Sequence, residues 1–298
     1  MMKRNQLREA IFRHLDGLVV VPVAYSLFKK GILAHLLKEK STTLAQLTDE
    51  FKANEGYLNV ALRVLASQGF LKYEVDNKSG SVTISTLPIS EFAFSLVSMY
   101  EDTFQLLTKT SVFTANKMDV DSIALLEPIL KKFTENYHIH FEEDEHLRAI
   151  QEQMLTHIEG YLVGPIVVNL GMTGMFHKYF MESSFRADEF HKHPEAFAKI
   201  LDFFVHLGWF SKKNDNYQFT EDGFFFAKRA SAYGVTVSYL PMFKHIDSLL
   251  FGNASELRNI AKNEDEIHVN REMNVWGSGG AHATYFKVID DIIIELFN

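Results

Sequence analysis

An internal repeat constrains the fold of this 298-residue chain more than any other feature of its sequence. The segment PVAYSLFKKGILAHL matches PIVVNLGMTGMFHKY, and the match places Gly31 above Gly174 at an offset of 143. A second match, further along both segments, places Gly69 above Gly208 at an offset of 139. Repeated apolar segments of this kind indicate repeated structural units. The sequence therefore predicts two related units, and the second unit has lost four residues in the helix or turn between the matched segments.

Each unit has the same predicted order of elements. An apolar helix ends at a glycine-bearing turn, and in the first unit Ser41, Thr42 or Thr43 then caps a helix over LAQLTDEF. A strongly apolar helix follows, over 57–68 in the first unit and 194–207 in the second, and a glycine closes it. Two short strands then form a hairpin, FLKYEV with SVTIS in the first unit and WFSKK with YQFT in the second. Three helices followed by a β-wing are typical of a winged helix.

The regions around the two units are predicted to be helical as well. The connector between them should break near 116–121 and at Pro128, and the polar stretch 252–272 is the best candidate for a linker. We expect a helix over 281–297 whose apolar side carries Phe286, Ile289, Ile292, Ile293 and Leu296. The predicted fold class is mainly α, with two tandem winged-helix-like units, small β-wings, a helical connector and a C-terminal linker helix. The predicted divisions are a first unit at 1–88, a connector at 89–160, a second unit with packing helices at 161–251, and a linker with a lead-in helix at 252–298.

Charge and composition narrow the classes of function. The net charge of −8 disfavours binding to phosphate backbones, and the absence of cysteine excludes disulfides, thiolate zinc sites and a cysteine nucleophile. The charged N-terminus lacks the apolar core of a signal peptide. The longest apolar run, Leu18–Tyr25, is far shorter than the roughly 20 residues that span a bilayer. We therefore expect a cytoplasmic protein without a membrane partner.

The third helix of each unit is poorly suited to reading DNA. A winged helix places this helix in the major groove, with Arg, Lys, Asn or Gln reaching the base edges. Here the helix of the first unit offers only Arg63 as a cation, and that of the second offers only Lys199. A helix that is apolar on nearly all sides is buried. We therefore expect these helices to pack against each other or against a partner subunit, and nucleic-acid binding is not expected.

The first unit resembles a known family. The segments VPVAYSLFKKGILAHL, STTLAQLTDEF and YLNVALRVLASQGFL stand in the order found in the N-terminal winged-helix dimerisation domain of class I S-adenosylmethionine-dependent methyltransferases of the natural-product and polyketide type. The resemblance covers 18–87 well and 164–223 less well. It implies a homodimer or an internal pseudo-dimer of the two units.

The tail REMNVWGSGGAHATYFKVIDDIIIELFN looks like the segment that precedes the methyl-donor domain of these enzymes. The donor-binding glycine-rich loop of the family is missing from the sequence. LGMTGMF, which has two glycines, aligns with SLFKKGIL and is interpreted as structural. The resemblance implies a parent methyltransferase that acts on a small-molecule or carrier-bound acyl substrate, with S-adenosylmethionine as its cofactor. This chain alone is expected to be inactive, with no catalytic residues and no tight cofactor binding. The alternative is a ligand-responsive winged-helix transcriptional regulator or a stand-alone interaction module.

One segment of the tail has the physics of a binding loop. GSGG, at 277–280, lies just before a predicted helix, where free N–H groups and the positive end of the helix dipole favour an anion. Donors and aromatic faces surround it. We therefore predict a cofactor or substrate pocket, completed by the missing domain, that contains Asn274, Trp276, Ser278, Gly279, Gly280, His282 and Tyr285. The opposing interpretation is a flexible hinge capped by Ser278.

HIHFEEDEH, at 138–146, is the strongest candidate for a metal site in the sequence. His138 and His140 would share one face of a strand, where an acidic residue could complete the site. Nothing fixes a third ligand at a productive spacing, and a charge run is usually a solvated turn. No metal site is therefore predicted.

Overall fold

The structure is a computed structural model that describes residues 3–109, 118–180, 184–257 and 266–297. It is mainly helical, with 71% helix and 8% strand, and its strands form small antiparallel sheets. The predicted fold class, a mainly α protein with winged-helix units and small β-wings, is confirmed. Of the connector break predicted near 116–121, residues 116 and 117 lie outside the described residues, residues 118 and 119 are not helical, and a helix begins at Val120. The middle of the predicted linker also lies outside the described residues.

The described residues form helices and strands in the following order. The first unit and the connector contain α1 (Arg4–Lys30), α2 (Ile32–Glu39), β1 (Ser41–Thr43), α3 (Leu44–Phe51), α4 (Glu55–Ser67), β2 (Leu71–Val75), β3 (Val82–Thr86), α5 (Ser90–Ser95), α6 (Glu101–Lys109) and α7 (Val120–Thr134). The rest contains α8 (Glu145–Met172), α9 (Met175–Tyr179), α10 (Pro194–His206), β4 (Phe210–Lys213), β5 (Asn216–Phe219), α11 (Glu221–Ala227), α12 (Ser231–Ser238), α13 (Leu240–Phe243), α14 (Ile246–Phe251) and α15 (Arg271–Phe297). Short 3₁₀ turns lie between them.

Local signals in the sequence explain the start and end of the elements in the first unit. Thr43 caps α3, since its hydroxyl accepts from the Gln46 N–H at 3.2 Å while the Gln46 side chain accepts from the Thr43 N–H. Gly31 ends α1 with φ of 86°, a left-handed conformation that glycine adopts without steric cost. The wing is a three-stranded sheet in the order β1-β3-β2. The strand β1 was not predicted, because three residues that also cap a helix carry little strand signal.

The second unit repeats this order and locates the four lost residues. Phe185 forms an isolated bridge to Tyr217 in β5, as Thr42 pairs with Ile84 in β3. Phe185 lies 143 positions after Thr42, so the first offset still holds at this point. Only a 3₁₀ turn at Ala187–Glu189 then stands where the first unit has the eight-residue α3. The deletion therefore shortened the second helix of the unit, as the change of offset predicted.

The two units meet where α1 crosses α8. Gly17 and Gly160, again 143 positions apart, lie at the crossing. A Cβ on Gly17 would stand 2.2 Å from the backbone oxygen of His157, and a Cβ on Gly160 would stand 2.4 Å from that of His14. Such contacts are impossible without backbone movement. The absence of side chains at both glycines lets the two helices touch, and α1 and α8 form the centre of the hydrophobic core.

Two buried histidines flank this crossing, and each forms a hydrogen bond with a tyrosine of the other unit. The Tyr233 hydroxyl lies 2.7 Å from Nδ1 of His14, while the Tyr100 hydroxyl lies 2.6 Å from Nδ1 of His157. Each tyrosine follows the wing of one unit and reaches the histidine on the long helix of the other. Both tyrosines are fully buried, and burial raises their pKa well above the ordinary value. Because each pair joins both units, the core is built from the two repeats together.

Pro128 does not break the connector, contrary to the sequence prediction. It lies inside α7, which runs from Val120 to Thr134. The missing N–H leaves the carbonyl of Ala124 without its helical partner. Pro128 and Ala124 are both exposed, so water can satisfy that carbonyl. The predicted connector boundary at residue 160 also lies within an element, since α8 runs through it.

One helix of the described chain, α1, is long and apolar enough to cross a membrane by length and composition. Its most apolar window has a mean hydropathy of 1.4, and 67% of that window is buried inside the protein. The core helix of a globular protein has the same properties, and the packing of α1 against α8 accounts for its apolar character. The cytoplasmic location stays a prediction.

Candidate functional site

The predicted GSGG loop is part of a helix, and the prediction of free N–H groups there is wrong. Residues 277–280 lie within α15, which begins at Arg271 instead of after the glycines. In an α-helix each N–H beyond the first turn binds the carbonyl four residues earlier. The amides of GSGG are therefore already bonded, and the helix dipole favours an anion only at the start of α15.

Close packing of helices explains the glycines. A Cβ on Gly277 would stand 2.7 Å from the backbone nitrogen of Val235, and a Cβ on Gly234 would stand 2.7 Å from Cα of Gly277. A Cβ on Gly280 would stand 2.7 Å from the Ser231 side chain. These contacts place α15 directly on α12. Two of the glycines that suggested a binding loop, Gly277 and Gly280, therefore allow the tail helix to pack closely against the second unit.

The predicted site residues separate into two groups. Trp276 and Gly280 lie one turn apart on α15 and line a cavity of about 370 Å³. The other predicted residues are elsewhere. Asn274 donates from Nδ2 to the Ser238 hydroxyl at 3.0 Å, and the Ser278 hydroxyl donates to the Val275 carbonyl at 3.3 Å.

The remaining three predicted residues lie on the exposed side of α15. The backbone at Gly279 is exposed, and no other atom lies within 4 Å of the position that a Cβ would take there. His282 and Tyr285 form an exposed pair with ring centroids 6.3 Å apart. No contact described here joins these three residues to the cavity.

The cavity, here called the aromatic cavity, lies between α8, α9, α12 and α15. Its walls also contain residues that sequence reasoning missed. They are Gly171, Phe176, His177, Phe180, Ala227, Lys228, Ala230 and Ser231. They come from three stretches of the chain that lie far from Trp276 in the sequence, and none of these stretches has a binding motif. Only their tertiary packing brings them together.

The side chains of the aromatic cavity are complementary to an apolar or flat ligand with one anionic or hydrogen-bonding end. Phe176, Phe180 and Trp276 supply apolar and aromatic surface. The Lys228 ammonium lies 5.2 Å from the ring centre of Phe224 and is exposed at the wall. The His177 ring stands edge-on to Phe180 at 5.4 Å. Aromatic walls combined with a small number of polar groups are typical of small-molecule sites.

The histidine-rich segment 138–146 forms a solvated turn in the structure. His138 pairs with the exposed Glu135 at 3.3 Å, and Asp144 caps α8 through the N–H groups of His146 and Leu147. Within residues 3–109, 118–180, 184–257 and 266–297, no group of three His, Asp or Glu side chains is placed to hold a metal ion.

The third helices of the units turn their apolar sides inward. Leu58, Leu62 and Leu65 of α4 are fully buried, and Arg63 lies on the exposed side. On α10, Lys199 pairs with Glu127 of α7. The helix α4 packs chiefly on α1, α3, α14 and β2, and α10 packs chiefly on α7, β4 and the 3₁₀ turn before it. Each helix thus serves the core of its own half more than a contact with the other.

The fold and the cavity define a class of protein: paired winged-helix units that share one core, with an added helix that closes an aromatic cavity. Three family models match the chain in order. They are the AprA N-terminal domain at 7–73, the AprA winged helix domain at 159–253 and the AprA MT2-like domain at 266–298. Together the three family models correspond to a winged-helix N-terminal region of a methyltransferase, in agreement with the resemblance seen in the sequence. No curated protein matches the chain.

Proposed function

We propose that this chain is the substrate-recognising and oligomerising region of an S-adenosylmethionine-dependent methyltransferase. Its methyl acceptor would be a small molecule or an acyl group bound to a carrier. The observation that carries the proposal is the position of α15. This helix lies in the segment that matches the MT2-like domain, and it also forms a wall of the aromatic cavity.

The two halves of α15 have opposite environments, which supports a role in joining two domains. In the first half, Met273 is fully buried and Gly277 packs on α12. The second half exposes a run of large apolar side chains, Tyr285, Phe286, Val288, Ile289, Ile292, Ile293, Ile294, Leu296 and Phe297. Contiguous apolar surface of this kind marks an interaction site. The catalytic domain of the parent enzyme is the partner that this surface would take.

In this arrangement the aromatic cavity would hold the methyl acceptor beside the catalytic domain. Trp276, Phe176 and Phe180 would pack against its apolar part, and Lys228 would pair with an acidic or carbonyl end. Because Trp276 belongs to the helix that continues into the exposed half, a ligand in the cavity would contact the same element as the catalytic domain.

The described residues do not fit the methyl donor. A donor site of this class needs a glycine-rich loop with free backbone N–H groups between a strand and a helix. The glycine-rich segment of this chain lies within α15, where its N–H groups are already bonded. We therefore assign donor binding and methyl transfer to the catalytic domain, and none of the residues described here is given a catalytic role.

In this proposal the oligomerising contact is formed between the two units of one chain. The crossing of α1 and α8 at Gly17 and Gly160 and the two reciprocal His–Tyr pairs have the form of a two-fold interface between equivalent helices. We propose that the two units form an internal pseudo-dimer. Light scattering should then give the mass of one chain when the exposed half of α15 is covered by the catalytic domain.

The reading frame beyond Asn298 tests the proposal. We expect it to continue into a strand followed by an acidic, glycine-rich loop, and we expect calorimetry to show donor binding by the longer protein and none by this chain. A stop codon directly after Asn298 would contradict the proposal. Salt-dependent retention of this chain on DNA would instead favour the winged-helix regulator.

A further inference from the structure

A second cavity lies where α1, α8 and the end of α4 meet. Its volume is about 550 Å³. It is lined by Arg13, Asp16, Gln68, Ala149, Glu152, Gln153, Thr156 and His157. Most of these side chains are polar or charged, whereas the aromatic cavity is mostly apolar. We refer to it as the polar cavity.

The internal repeat allows the residues of the polar cavity to be compared with their equivalents in the other unit. In the second unit's counterpart, the carboxylate of Glu159 contacts the His14 ring directly, 3.1 Å from Nε2. The residue of the first unit equivalent to Glu159 is Asp16, which lies 143 positions earlier. Near His157 the ring meets an amide instead, because Oε1 of Gln68 lies 3.0 Å from Nε2.

On this side Gln68 therefore lies between the acid, Asp16, and the histidine, His157. Asp16 forms a side-chain hydrogen bond with Gln68, and the Gln153 amide donates to Oε1 of Gln68 at 3.2 Å. The Gln68 side chain is thus held between His157 and Asp16. The arrangement leaves the carboxylate of Asp16 on the wall of the cavity and not inside an ion pair with the histidine.

The charges of the wall select the class of ligand. Arg13 supplies one cation, and Asp16 and Glu152 supply two carboxylates. Arg13 and Asp16 are three residues apart on α1, so their Cβ atoms are separated by about 5 to 6 Å. Arg13 is only loosely paired with Glu9, at 3.9 Å. Partial burial raises the pKa of Asp16, which means that a nearby positive charge would be favourable for its ionised form.

We propose that the polar cavity binds a free α-amino acid or a close zwitterionic analogue. The ligand ammonium would lie between Asp16 and Glu152, and its carboxylate would take the Arg13 guanidinium. The amides of Gln68 and Gln153 and the Thr156 hydroxyl line the space left for the ligand side chain. The site is separate from the aromatic cavity and from the exposed half of α15, and the proposal does not depend on the methyltransferase assignment.

The experiment is a titration of the purified chain with each of the standard α-amino acids, followed by calorimetry or by ligand-observed NMR. For the one that binds most tightly, the matching amine without the carboxylate and the matching acid without the amino group are titrated as well. We expect saturable binding of at least one amino acid and a loss of at least about tenfold in affinity for both truncated compounds.

Two variants test whether the amino acid binds in the polar cavity. Asp16→Asn and Arg13→Gln should each weaken binding of the amino acid by about tenfold or more, while Glu143→Gln, at an exposed position before α8, should leave it unchanged. Circular dichroism confirms that each variant is folded. The proposal is overturned if no amino acid binds, if the amine binds as well as the amino acid, or if binding is the same in Asp16→Asn and Arg13→Gln as in the unchanged chain.

Discussion

The surroundings of His14 and His157 show how one repeated unit became two different ones. Both histidines are 2% exposed, and both receive a tyrosine hydroxyl at Nδ1. At Nε2, however, His14 meets the carboxylate of Glu159 and His157 meets the amide of Gln68. A carboxylate can stabilise a charged ring, whereas an amide oxygen only accepts a hydrogen bond. The repeat has thus kept the hydrogen-bond geometry and changed the electrostatics.

This difference gives the two histidines unequal surroundings. On the Glu159 side the histidine and the acid are direct partners, with the carboxylate 3.1 Å from Nε2 of His14. On the Gln68 side burial lowers the pKa of His157 to about 3, so the ring is neutral and Asp16 remains available at the wall of the polar cavity. The lesson is that a repeat can build a common core from equivalent residues while a changed partner alters the electrostatic surroundings of one of them.

The largest expected effect tests whether the two units share one core. Leu62 of α4 and Phe204 of α10 are both fully buried, and an unpaired charge at either position costs several kcal/mol. Leu62→Asp and Phe204→Asp should each unfold the whole molecule, as followed by circular dichroism during thermal melting. Val60→Asp is the matched control on α4, because Val60 is 57% exposed. If one half keeps its melting transition when the other is lost, the units are independent and the comparison fails.

The helix crossing tests the symmetry of the repeat. In Gly17→Ala and in Gly160→Ala the new Cβ would meet backbone atoms of the opposite helix, so both variants should lose about 3 kcal/mol or more. Gly279→Ala has open space and lies within α15, so it should gain up to about 1 kcal/mol from helix propensity. Urea unfolding measures all three. A clearly smaller loss at one of the two crossing glycines would show that only one helix sets the contact.

The dependence of the free energy of unfolding on pH should show that His157 is neutral in the folded protein. The pKa of His157 lies below its unfolded value of about 6.5. The unfolded chain therefore binds a proton between pH 6.5 and about 3 that the folded chain does not. The stability from neutral His157 is complete above pH 6.5 and falls by up to about 1.4 kcal/mol per pH unit as the pH drops through this window.

His157→Gln isolates this contribution from those of the carboxylates. The variant should be less stable than the unchanged chain at pH 7, because the Tyr100 and Gln68 contacts are disturbed. Its stability should decline less steeply below pH 6.5, since the buried imidazole is gone. Urea unfolding at several pH values gives both curves. Parallel curves across the window would mean that His157 does not titrate as its burial indicates.

Much of the fold could be predicted because its signals are local. The glycines at 31 and 174 end helices, Thr43 caps one, and the alternating strands of the wings lie beside turn residues. The change of offset between the matched segments predicted a four-residue deletion in the helix or turn between them, and the structure has a short 3₁₀ turn in place of the helix α3 there. Pro128 was misread for the same reason, because a local rule about proline takes no account of whether the freed carbonyl can reach water.

The candidate site could be predicted only in part. The structure places Trp276 and Gly280 of the predicted set together at the aromatic cavity, whereas the predicted loop with free amides is part of a helix. Close packing of a helix and a flexible loop both favour glycine, so composition alone does not separate them. The signal that could have done so is the spacing of Gly277 and Gly280, which places both glycines on one side of a helix.

The two winged-helix-like units, the order of their elements and the place of the deletion could be inferred from the sequence alone, because periodicity, caps and turns act within a few residues. The three-dimensional packing was needed to show that α1 and α8 cross at paired glycines, that each histidine pairs with a tyrosine of the other unit, and that α15 closes the aromatic cavity. These features join residues that are far apart in the sequence: 57 positions separate Tyr100 from His157, and 219 separate His14 from Tyr233. No local pattern records such a contact, since its stability comes from burial and shape fit across the assembled core.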